Sequence, residues 1–490
     1  MENLTDRINR SLAQPVFRKV AAAAASTGSD VYVVGGFVRD LLLGRESKDV
    51  DFMVVGSGIE LAEQLSQGRN FSNVQLFKNF GTAMLRYNDL SIEVVGARRE
   101  SYDPQSRKPA VESGTMEDDL RRRDFTINAL CISLNEKDFG QLTDLFGGVK
   151  DLSDGLIRTP LDPDLTFSDD PLRMMRAVRF ASQLGFRIDP ATLSAIHRNR
   201  ERIHIISAER IAEELNKIIL SPRPSVGFRL LDQTGLLEIV FPELHAMKGI
   251  DERNGVRHKD NFLHTIRVLD NISPHTDDLW LRWATLLHDI AKPQTKRFDP
   301  ETGWTFHGHN FVGAKMVGQI FRRLKMPLNE KMKYVQKIVN LHMRPVVLTE
   351  NTVTDSAVRR LLFEAGDDID DLMTLCEADI TSGIREKVVR YLQNFALVRE
   401  KLKEIEEKDR VRNWQPPVSG EEIMAVFNIP PSRPVGTIKN IIKDSILDGL
   451  IRNDREEAWQ LMLQTGRELG LVPQPGTETP FKTETTDGKD

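Results

Sequence analysis

Short apolar runs alternate with turn residues over the first 160 residues, a pattern typical of a sheet that packs against helices. Three of these runs have the length and composition of strands, and they lie at residues 31–34, 50–55 and 91–95. Ahead of the first run, an alanine-rich period predicts a helix that starts near Gln14 and is closed by Gly28. Residues 1–160 are therefore predicted to mix strands and helices.

After residue 160 the apolar spacing becomes helical. It predicts a helical region over 161–250, longer helices that carry most of the histidines over 251–400, and a small helical segment over 401–470. Residues 471–490 contain too few apolar residues to form a core and are predicted to be a disordered tail. A mixed head followed by helical regions corresponds to the α+β fold class.

Composition and charge narrow the class of protein. A chain of 490 residues is too long for one hydrophobic core, so about three or four domains are expected. The 40% hydrophobic and 28% charged residues suit a globular protein in water, and the net charge of −5 excludes a polycation. Charge is nevertheless uneven, because residues 171–223 hold ten Lys and Arg against five Asp and Glu. Such a basic stretch suits RNA binding.

Cysteine usage and the N-terminus predict a cytoplasmic location. The two cysteines, Cys131 and Cys376, lie far apart and have no metal-type spacing, which fits a reducing compartment. The N-terminus lacks the charged-then-apolar pattern of a signal peptide, and residues 20–26 are too short and too weakly apolar to span a bilayer. We therefore expect no membrane partner.

A pair of glycines interrupts the first strand in "VYVVGGFVRD", residues 31–40. Gly35 and Gly36 lack a Cβ atom, so a nucleotide triphosphate can approach the backbone closely at this point. The N–H groups that open the following helix favour an anion, and Arg39 would add a charge-assisted contact to it. Two adjacent glycines alone would indicate only a turn.

Acidic residues follow on the next predicted strand, "KDVDFMVVG". Side chains alternate along a strand, so Asp49 and Asp51 share one face while their apolar neighbours point into the core. Two such carboxylates repel unless a divalent cation lies between them, and Mg²⁺ prefers oxygen ligands. Glu93, on the predicted strand "LSIEVVGAR", would complete the cluster. These carboxylates are what nucleotidyl transfer with two metal ions requires.

The combined segment "GGFVRDLLLGRESKDVDFMVVG" resembles the nucleotidyltransferase superfamily of DNA polymerase β. It is similar in particular to the class II tRNA nucleotidyltransferases, the CCA-adding enzymes, and to their relatives the bacterial poly(A) polymerases. The segment "RRRDFTINAL" resembles the second motif of that family, which lies beside the ribose and the nucleotide. The resemblance implies that Asp124 and Asn128 contact the 2′-hydroxyl and that Arg123 reaches the nucleotide phosphates.

A third segment, "SDDPLRMMRAVRFASQLGF", carries charged residues at a spacing of three. On one continuous helix, Asp170, Arg173, Arg176 and Arg179 would form a single polar stripe. A carboxylate beside a guanidinium can match the hydrogen-bonding edge of a base. In the resembled family this Asp and Arg pair selects C and A, which implies that Asp170 and Arg173 are the template here. Arg176 and Arg179 would extend the nucleotide contacts.

The histidines form a second group of candidate ligands. "LLHDIAKP" places a His-Asp pair at the end of an apolar helix, with other His and Asp residues on separate predicted helices. This order resembles the HD superfamily of metal-dependent phosphohydrolases. Imidazole and carboxylate together suit Mn²⁺, Ni²⁺ or Co²⁺ better than Mg²⁺. The candidate ligands are His264, His288, Asp289, His309, His342 and Asp379.

The resemblance implies a function for each region. Residues 1–160 would be the nucleotidyltransferase head, 161–250 a neck with the nucleotide template and an RNA-binding surface, 251–400 the HD domain and 401–470 a tRNA-facing tail. The expected reaction adds CCA to the 3′ end of tRNA from CTP and ATP, with Mg²⁺ and release of pyrophosphate.

Other functions stay open. Poly(A) addition and addition of only CC or only A belong to the same class, although the complete loop between Arg98 and Asp119 argues weakly against a CC-only form. A metal-dependent phosphohydrolase whose head merely binds RNA is an alternative of another class. A non-catalytic RNA-binding module would leave Asp49 and Asp51 without a role.

Overall fold

The structure, a computed structural model, describes residues 4–77, 81–101, 110–350, 354–382, 384–409, 412, 414–477 and 479–480. The chain divides into two compact units. Unit 1 comprises Met1–Lys248 with Arg323–Met326, and unit 2 comprises Gly249–Arg322 with Pro327–Asp490.

Unit 1 contains one large mixed sheet and several short ribbons. Seven strands form the sheet, in the order β3-β4-β5-β2-β1-β8-β9, and β2 and β5 run parallel while the other neighbours are antiparallel. The strands are β1 (Val31–Val34), β2 (Asp49–Val54), β3 (Gln75–Phe77), β4 (Thr82–Tyr87), β5 (Leu90–Gly96), β6 (Arg98–Ser101), β7 (Ala110–Ser113), β8 (Leu130–Ser133), β9 (Leu142–Asp144), β10 (Leu156–Ile157) and β11 (Arg187–Ile188).

The three strands predicted from apolar runs are the sheet's β1, β2 and β5. On β2, Val50 and Phe52 lie on the fully buried face, whereas Asp49 and Asp51 point to the other face. Met53, beyond the two aspartates on that second face, is also buried, in a cluster with Tyr32 and other apolar side chains. The aspartates are thus held at the end of a strand that is buried on both sides.

Helices cover the sheet and then continue as the helical part of unit 1. The alanine-rich period forms α2, whose N-cap is Gln14, as predicted. The helices are α1 (Leu4–Leu12), α2 (Pro15–Ser26), α3 (Gly36–Leu42), α4 (Gly58–Ser66), α5 (Met116–Arg121), α6 (Gly148–Asp154), α7 (Pro163–Asp169), α8 (Leu172–Leu184), α9 (Pro190–Asn199), α10 (Ala208–Ile219), α11 (Pro224–Gln233), α12 (Leu236–Val240) and α13 (Pro242–His245).

The described part of unit 2 is helical apart from two small hairpins, which the helical apolar spacing does not predict. The hairpins are β12 (Glu252–Arg253) with β13 (Val256–Arg257) and β14 (Arg297–Asp299) with β15 (Gly303–Thr305). The helices are α14 (Asn261–Ile272), α15 (Leu279–Leu287), α16 (Lys292–Thr295), α17 (His309–Arg323), α18 (Glu330–Leu341), α19 (Met343–Glu350), α20 (Asp355–Ala365), α21 (Ile369–Ala378), α22 (Arg385–Asp409), α23 (Gly420–Phe427), α24 (Arg433–Leu447) and α25 (Arg455–Glu468). The mixed head and the helical remainder confirm the predicted fold class.

The last helices form their own core, and part of the predicted tail packs on it. The indole N–H of Trp459 donates to the Thr477 carbonyl at 3.0 Å, and the Gln474 N–H donates to the Val426 carbonyl at 2.8 Å. Residues 471–477 thus contact these helices through hydrogen bonds and through Leu471, which packs against their apolar core. Most of the remaining predicted tail, residues 478 and 481–490, lies outside the described residues.

None of the helices in the described ranges is long and apolar enough to cross a membrane.

Candidate functional site

The two glycines after β1 bring the backbone close to charged side chains. Gly35 has φ +72° and ψ −131°, a conformation that residues with a Cβ atom rarely adopt. A Cβ atom at Gly35 would lie 2.7 Å from Nη1 of Arg123 and 3.4 Å from Oδ2 of Asp51. The turn into α3 therefore favours glycine, and a larger residue there would also displace the Arg123 guanidinium.

Strand pairing places the predicted carboxylates side by side. Asp51 on β2 is in register with Glu93 on β5, and Asp49 lies two residues earlier at the exposed end of β2. Burial raises the pKa of Asp51, Arg123 opposes the shift, and Asp49 adds to it. Burial and then the Asp51 charge raise the pKa of Glu93. Excess negative charge on hard oxygen ligands fits a divalent cation such as Mg²⁺.

A cavity of about 520 Å³ opens over these carboxylates. Every head residue predicted from the sequence lines it, except Asp49, which lies beside it at the end of the strand. The lining residues are Gly35, Gly36, Arg39, Asp51, Glu93, Val95, Arg98, Arg122, Arg123, Asp124, Asn128, Asp170, Arg173, Arg176, Arg179, Phe180 and Gln183. Their roles remain predictions.

A chain of hydrogen bonds crosses the cavity wall. Arg39 donates to Oδ1 of Asn128 at 2.9 Å, and the Asn128 amide donates to Asp124 at 2.9 Å. Oδ2 of Asp124 accepts from the guanidinium of Arg176 at 2.7 Å. Burial would raise the pKa of Asp124, but Arg176 and Asn128 outweigh it and lower the pKa to about 2. Asp124 is thus ionised, and both of its oxygens already accept hydrogen bonds from Asn128 and Arg176. A nucleotide 2′-hydroxyl would have to share these oxygens with the two side chains.

Asp119 is a residue of this site that sequence reasoning missed. Its side chain is fully buried and accepts hydrogen bonds from Arg122 at 2.9 Å and from Arg123 at 3.0 Å. Burial would raise the pKa of Asp119, but these two arginines hold it below its usual value. The i to i+3 and i to i+4 spacing in "DLRRRD" is a signal that could have indicated the pairing. Asp119 therefore holds two cavity arginines in place.

Phe180 is a second missed residue. The guanidinium groups of Arg39, Arg176 and Arg179 lie 5.0, 5.4 and 4.3 Å from its ring centroid. Cation–π contact of this kind keeps the arginines at the cavity. Phe180 follows Arg176 by four residues on α8, a spacing that puts both side chains on one face of the helix and could have indicated the contact.

We expect Asp119→Ala to lower the free energy of unfolding by about 3 kcal/mol, because it leaves two partly buried guanidinium groups without their shared acceptor. Urea unfolding of the full chain measures the loss. Asp118→Ala is the matched control: the Asp118 side chain is only partly buried and completes the capping box of α5 with Thr115, so its loss should be smaller. Equal effects of the two substitutions would contradict the role of Asp119.

The structure corrects the predicted polar stripe of Asp170 and the arginines. Asp170 is not on the helix: it has φ −134° and ψ 98°, α7 ends at Asp169, and α8 begins at Leu172. The reason is Pro171, because the residue before a proline is disfavoured in helical conformation. Arg173 begins the stripe on α8, and Arg176 and Arg179 follow on the same face.

Asp170 and Arg173 nevertheless both line the cavity, each held by a separate contact. Oδ1 of Asp170 accepts from the Leu172 N–H at 3.1 Å, and Oδ2 lies 3.6 Å from Arg210. Arg173 donates to the carbonyl oxygen of Arg122 at 2.6 Å. The carboxylate and the guanidinium are thus anchored independently at one side of the cavity.

Arg179 is the most deeply buried of the α8 arginines. Its guanidinium lies 3.2 Å from the carboxylate of Glu214 on α10. Burial lowers the pKa of Arg179 to about 10, although Glu214 opposes the shift. The Arg179–Glu214 pair therefore also joins α8 to α10.

In unit 2, each of the four predicted histidines forms a hydrogen bond through Nδ1. Nδ1 of His288, His309 and His342 donates to the carbonyl of the residue three positions earlier, at 2.7, 2.8 and 2.7 Å. Nδ1 of His264 lies 2.9 Å from the Thr381 hydroxyl. A hydrogen bond at one ring nitrogen fixes the tautomer and directs the other nitrogen at a metal in many metalloproteins. Here every Nε2 points into one cluster.

The Nε2 atoms of these histidines lie close to two carboxylates. His264 lies 2.9 Å from Asp379, and His309 lies 3.4 Å from Asp289. Among the described residues, potential ligand atoms come within 4.8 Å of one another in two groups of three, both in unit 2: His264, His288 and Asp379, and Asp289, His309 and His342. All six predicted HD ligands are therefore brought together.

The donors in this cluster fit a transition-metal cation. Nε2 of His309 and Nε2 of His342 face each other at 3.3 Å, although both rings already use Nδ1 as the donor. Burial and then His288 lower the pKa of His342 to about 4, so its Nε2 carries a lone pair at neutral pH. A divalent cation between these two nitrogens, beside the buried Asp289 and the half-buried Asp379, would have ligand atoms on every side. Imidazole and carboxylate ligands suit Mn²⁺, Ni²⁺, Co²⁺ or a similar divalent ion.

A second cavity, of about 410 Å³, reaches this cluster. His264 and Asp379 line it together with Lys292, whose ammonium group also donates to Asp289 at 2.6 Å. His307, which precedes His309 in the sequence, is exposed and is not among the lining residues. The cavity thus offers access from solvent and positive charge beside the cluster.

A mixed sheet that carries paired carboxylates, a glycine turn and an arginine-lined cavity defines a nucleotidyltransferase head. Residues 31–158 match the family described as "Poly A polymerase head domain", and residues 185–248 match "Probable RNA and SrmB- binding site of polymerase A". Residues 261–383 match "HD domain". The three matches lie in the order predicted from the sequence.

Relatives identify the family. The chain is 31% identical over 466 residues to the CC-adding tRNA nucleotidyltransferase of Thermus thermophilus, covering 92% of this chain and 97% of that protein. It is 33% identical over 352 residues to the A-adding tRNA nucleotidyltransferase of Deinococcus radiodurans, covering 70% and 77%. The CCA-adding enzyme of Bacillus stearothermophilus in complex with CTP shares the fold, with a TM-score of 0.68 at 24% identity over 93% of this chain and 99% of that one.

This chain belongs to the tRNA nucleotidyltransferase family, and it is an enzyme of the nucleotidyltransferase class.

Proposed function

We propose that this enzyme adds CCA to the 3′ end of tRNA, using CTP twice and ATP once and releasing pyrophosphate. The observation that carries the proposal is the single cavity that joins the glycine turn, the carboxylates of β2 and β5, and the Asp170 and Arg173 side chains. Triphosphate, reacting phosphorus and base would thus each have a matching set of residues within one cavity of about 520 Å³.

In the proposed reaction the tRNA 3′-oxygen forms a bond to the α-phosphorus, and the bond from that phosphorus to the pyrophosphate oxygen breaks. The hydroxyl proton passes to water. A divalent cation, held by Asp49, Asp51 and Glu93, would supply charge neutralisation and a more acidic hydroxyl. Gly35 and Gly36 admit the triphosphate, and Arg123 lies beside them to balance its charge.

The choice of nucleotide is proposed to depend on Asp170 and Arg173. A carboxylate accepts from the exocyclic amino group that both C and A possess, and a guanidinium donates to a ring nitrogen or carbonyl. U and G do not offer this combination at the pairing edge. Because relatives include enzymes that add CC and others that add A, addition of only part of CCA is the nearest alternative.

Incubation of the protein with tRNA that lacks its last three nucleotides tests the proposal. Each nucleoside triphosphate is supplied alone and in combination, and the product ends are sequenced. CCA ends with CTP and ATP together are expected. Ends that stop at CC in the presence of ATP, addition of A only to tRNA that ends in CC, or a long A tail would each replace the proposal with the corresponding partial or poly(A) activity.

We expect Asp170→Ala to impair base choice more than the overall reaction. The carboxylates of the reacting centre remain, whereas the loss of a bidentate base contact costs about 1–3 kcal/mol of discrimination, roughly one to two powers of ten. UTP and GTP should then be misincorporated. The measurement is kcat/KM for each nucleotide on tRNA that lacks CCA. Arg39→Ala is the comparison variant, because it should weaken all four nucleotides alike. An equal loss for all four in Asp170→Ala would mean that Asp170 only braces the helices.

The cluster in unit 2 supports a second activity, metal-dependent hydrolysis of phosphate esters. Four Nε2 atoms and two carboxylates converge there, and a separate cavity reaches two of these residues, His264 and Asp379, together with Lys292. His264, His288, His309, His342, Asp289 and Asp379 would hold the cation, which would supply an activated water and polarise the phosphate. Lys292 would balance the charge of the phosphate.

A further inference from the structure

The carboxylate face of the sheet continues beyond the nucleotide cavity. Glu93 on β5 is in register with Met84 on β4, and Thr82 on β4 is in register with Phe77 on β3. Side chains that pair directly across strands share a face, so these residues lie on the same side as Asp51. Strand spacing puts β3 roughly 14 Å from β2, the reach of one or two nucleotides.

A separate side pocket of about 310 Å³ lies on this part of the face, lined by Phe77, Thr82, Met84, Glu93 and Arg98. It shares Glu93 and Arg98 with the nucleotide cavity, so the two cavities meet at the carboxylates. Phe77 is 43% exposed, whereas Ala83 and Leu85, on the opposite face of β4, are buried. An exposed aromatic ring at the rim of a reacting centre suits stacking on a base.

The direction of the reaction assigns an occupant to this side pocket. Nucleotidyl transfer is an in-line displacement, so the attacking oxygen and the leaving pyrophosphate lie on opposite sides of the α-phosphorus. The glycine turn and Arg123, proposed to hold the triphosphate, lie towards β1 from Asp51. The attacking 3′-hydroxyl must therefore approach from the other side, over β5, β4 and β3.

We infer that the side pocket binds the 3′-terminal nucleotides of the tRNA acceptor, with Phe77 stacking on a base and Arg98 facing the phosphate backbone. Arg86 lies on the same face of β4 and is exposed, which adds positive charge along the path of the RNA. This inference rests on the proposed nucleotide addition and names the place where its RNA substrate ends.

Steady-state kinetics with tRNA lacking CCA test the inference. Phe77→Ala should raise the KM for tRNA about 10-fold and leave the KM for CTP within about twofold, because base stacking on an aromatic ring is lost while the nucleotide cavity is intact. Phe77→Trp should keep the parent KM, and Phe77→Leu should behave like Phe77→Ala. This dependence on an aromatic ring separates stacking from mere apolar bulk.

Leu76→Ala is the matched control, since Leu76 is the neighbour of Phe77 on β3 and points to the opposite face. It should lower the melting temperature at least as much as Phe77→Ala and yet keep the parent KM for tRNA. An unchanged KM for tRNA in Phe77→Ala, or an equal rise of this KM in Leu76→Ala, would overturn the inference. Neither result would affect the proposed function, because the parent protein would still add nucleotides. A parent protein that adds no nucleotide to tRNA would overturn both.

Discussion

Asp51→Ala is expected to lower nucleotide incorporation by at least about 10³-fold, with the fold intact. Asp51 is the most central of the carboxylates, in register with Glu93 and beside the glycine turn. Loss of the charge stabilisation that a cation provides costs several kcal/mol in the transition state. Asp49→Ala should have a similar effect, since Asp49 shares the face of Asp51. The measurement is the rate of CTP incorporation into tRNA lacking CCA.

Thermal stability provides a second readout for Asp51, with Asp51→Asn as the variant. The pKa of Asp51 is raised in the folded protein, chiefly by burial, so stability falls as the pH rises above the carboxyl's unfolded pKa of about 3.8 and Asp51 ionises. Asp51→Asn removes this buried charge and should not lower the melting temperature without Mg²⁺. Added Mg²⁺ should raise the melting temperature of the parent but not of the variant. Asp89→Asn, in the exposed turn between β4 and β5, is the control and should respond like the parent.

Normal incorporation by a folded Asp51→Ala protein would contradict the catalytic assignment. A variant that loses incorporation but keeps the stabilisation by Mg²⁺ would place the cation elsewhere.

Local patterns in the sequence predicted the three strands that carry the glycine turn and the carboxylates, but not β3, β4, β8 and β9 of the same sheet. The strand boundaries at 31–34, 50–55 and 91–95 agree with β1, β2 and β5 to within a residue or two at most ends. The alternation of Asp49 and Asp51 with apolar neighbours indicated their common face, because strand side chains alternate strictly. The positive φ of Gly35 explains why the strand ends in glycine.

Local patterns could not predict contacts between segments that are distant along the chain. Arg176 lines the cavity, and its predicted contact to the nucleotide stays a prediction, but its pairing with Asp124, 52 residues earlier in the chain, was not predicted. Spacing on one helix cannot show which partner another segment will bring. The prediction that Asp170 shares a helix with the arginines was wrong for a local reason, because Pro171 directs the residue before it away from helical conformation. The role of Asp170 at the base edge stays a prediction.

The histidine cluster was predicted in part: the sequence indicated its residues but not their hydrogen-bond partners. Residue types and order predicted His288 and Asp289 as ligands, and the structure brings them together with His309 and His342 from other helices. The carbonyl acceptors at Thr285, Phe306 and Val339 could not be predicted, since they depend on the rotamer of each ring. Part of the loop from Arg98 to Asp119, residues 102–109, lies outside the described residues, so the expectation drawn from that loop stays a prediction.

His309→Ala is expected to lower metal-dependent hydrolysis of bis(p-nitrophenyl) phosphate by at least about 10³-fold and to leave addition of CCA to tRNA largely unchanged. His309 lies 3.4 Å from Asp289, and its Nε2 atom faces that of His342, so its loss removes one ligand from a cluster proposed to activate water. Nucleotide addition should persist because the arginine-lined cavity has a different set of residues.

Metal binding gives a readout for His309→Ala that is independent of activity. Mn²⁺, Ni²⁺ or Co²⁺ should raise the melting temperature of the parent and have little effect on the variant, because a cation that binds the folded state stabilises it. His307→Ala is the matched control: this exposed histidine lies two residues away and should keep both the hydrolysis and the stabilisation. Loss of hydrolysis and nucleotide addition together, in a His309→Ala protein that still melts cooperatively, would mean that the two activities depend on one site. Parent-like hydrolysis by His309→Ala would show that His309 is not a ligand of the reacting metal.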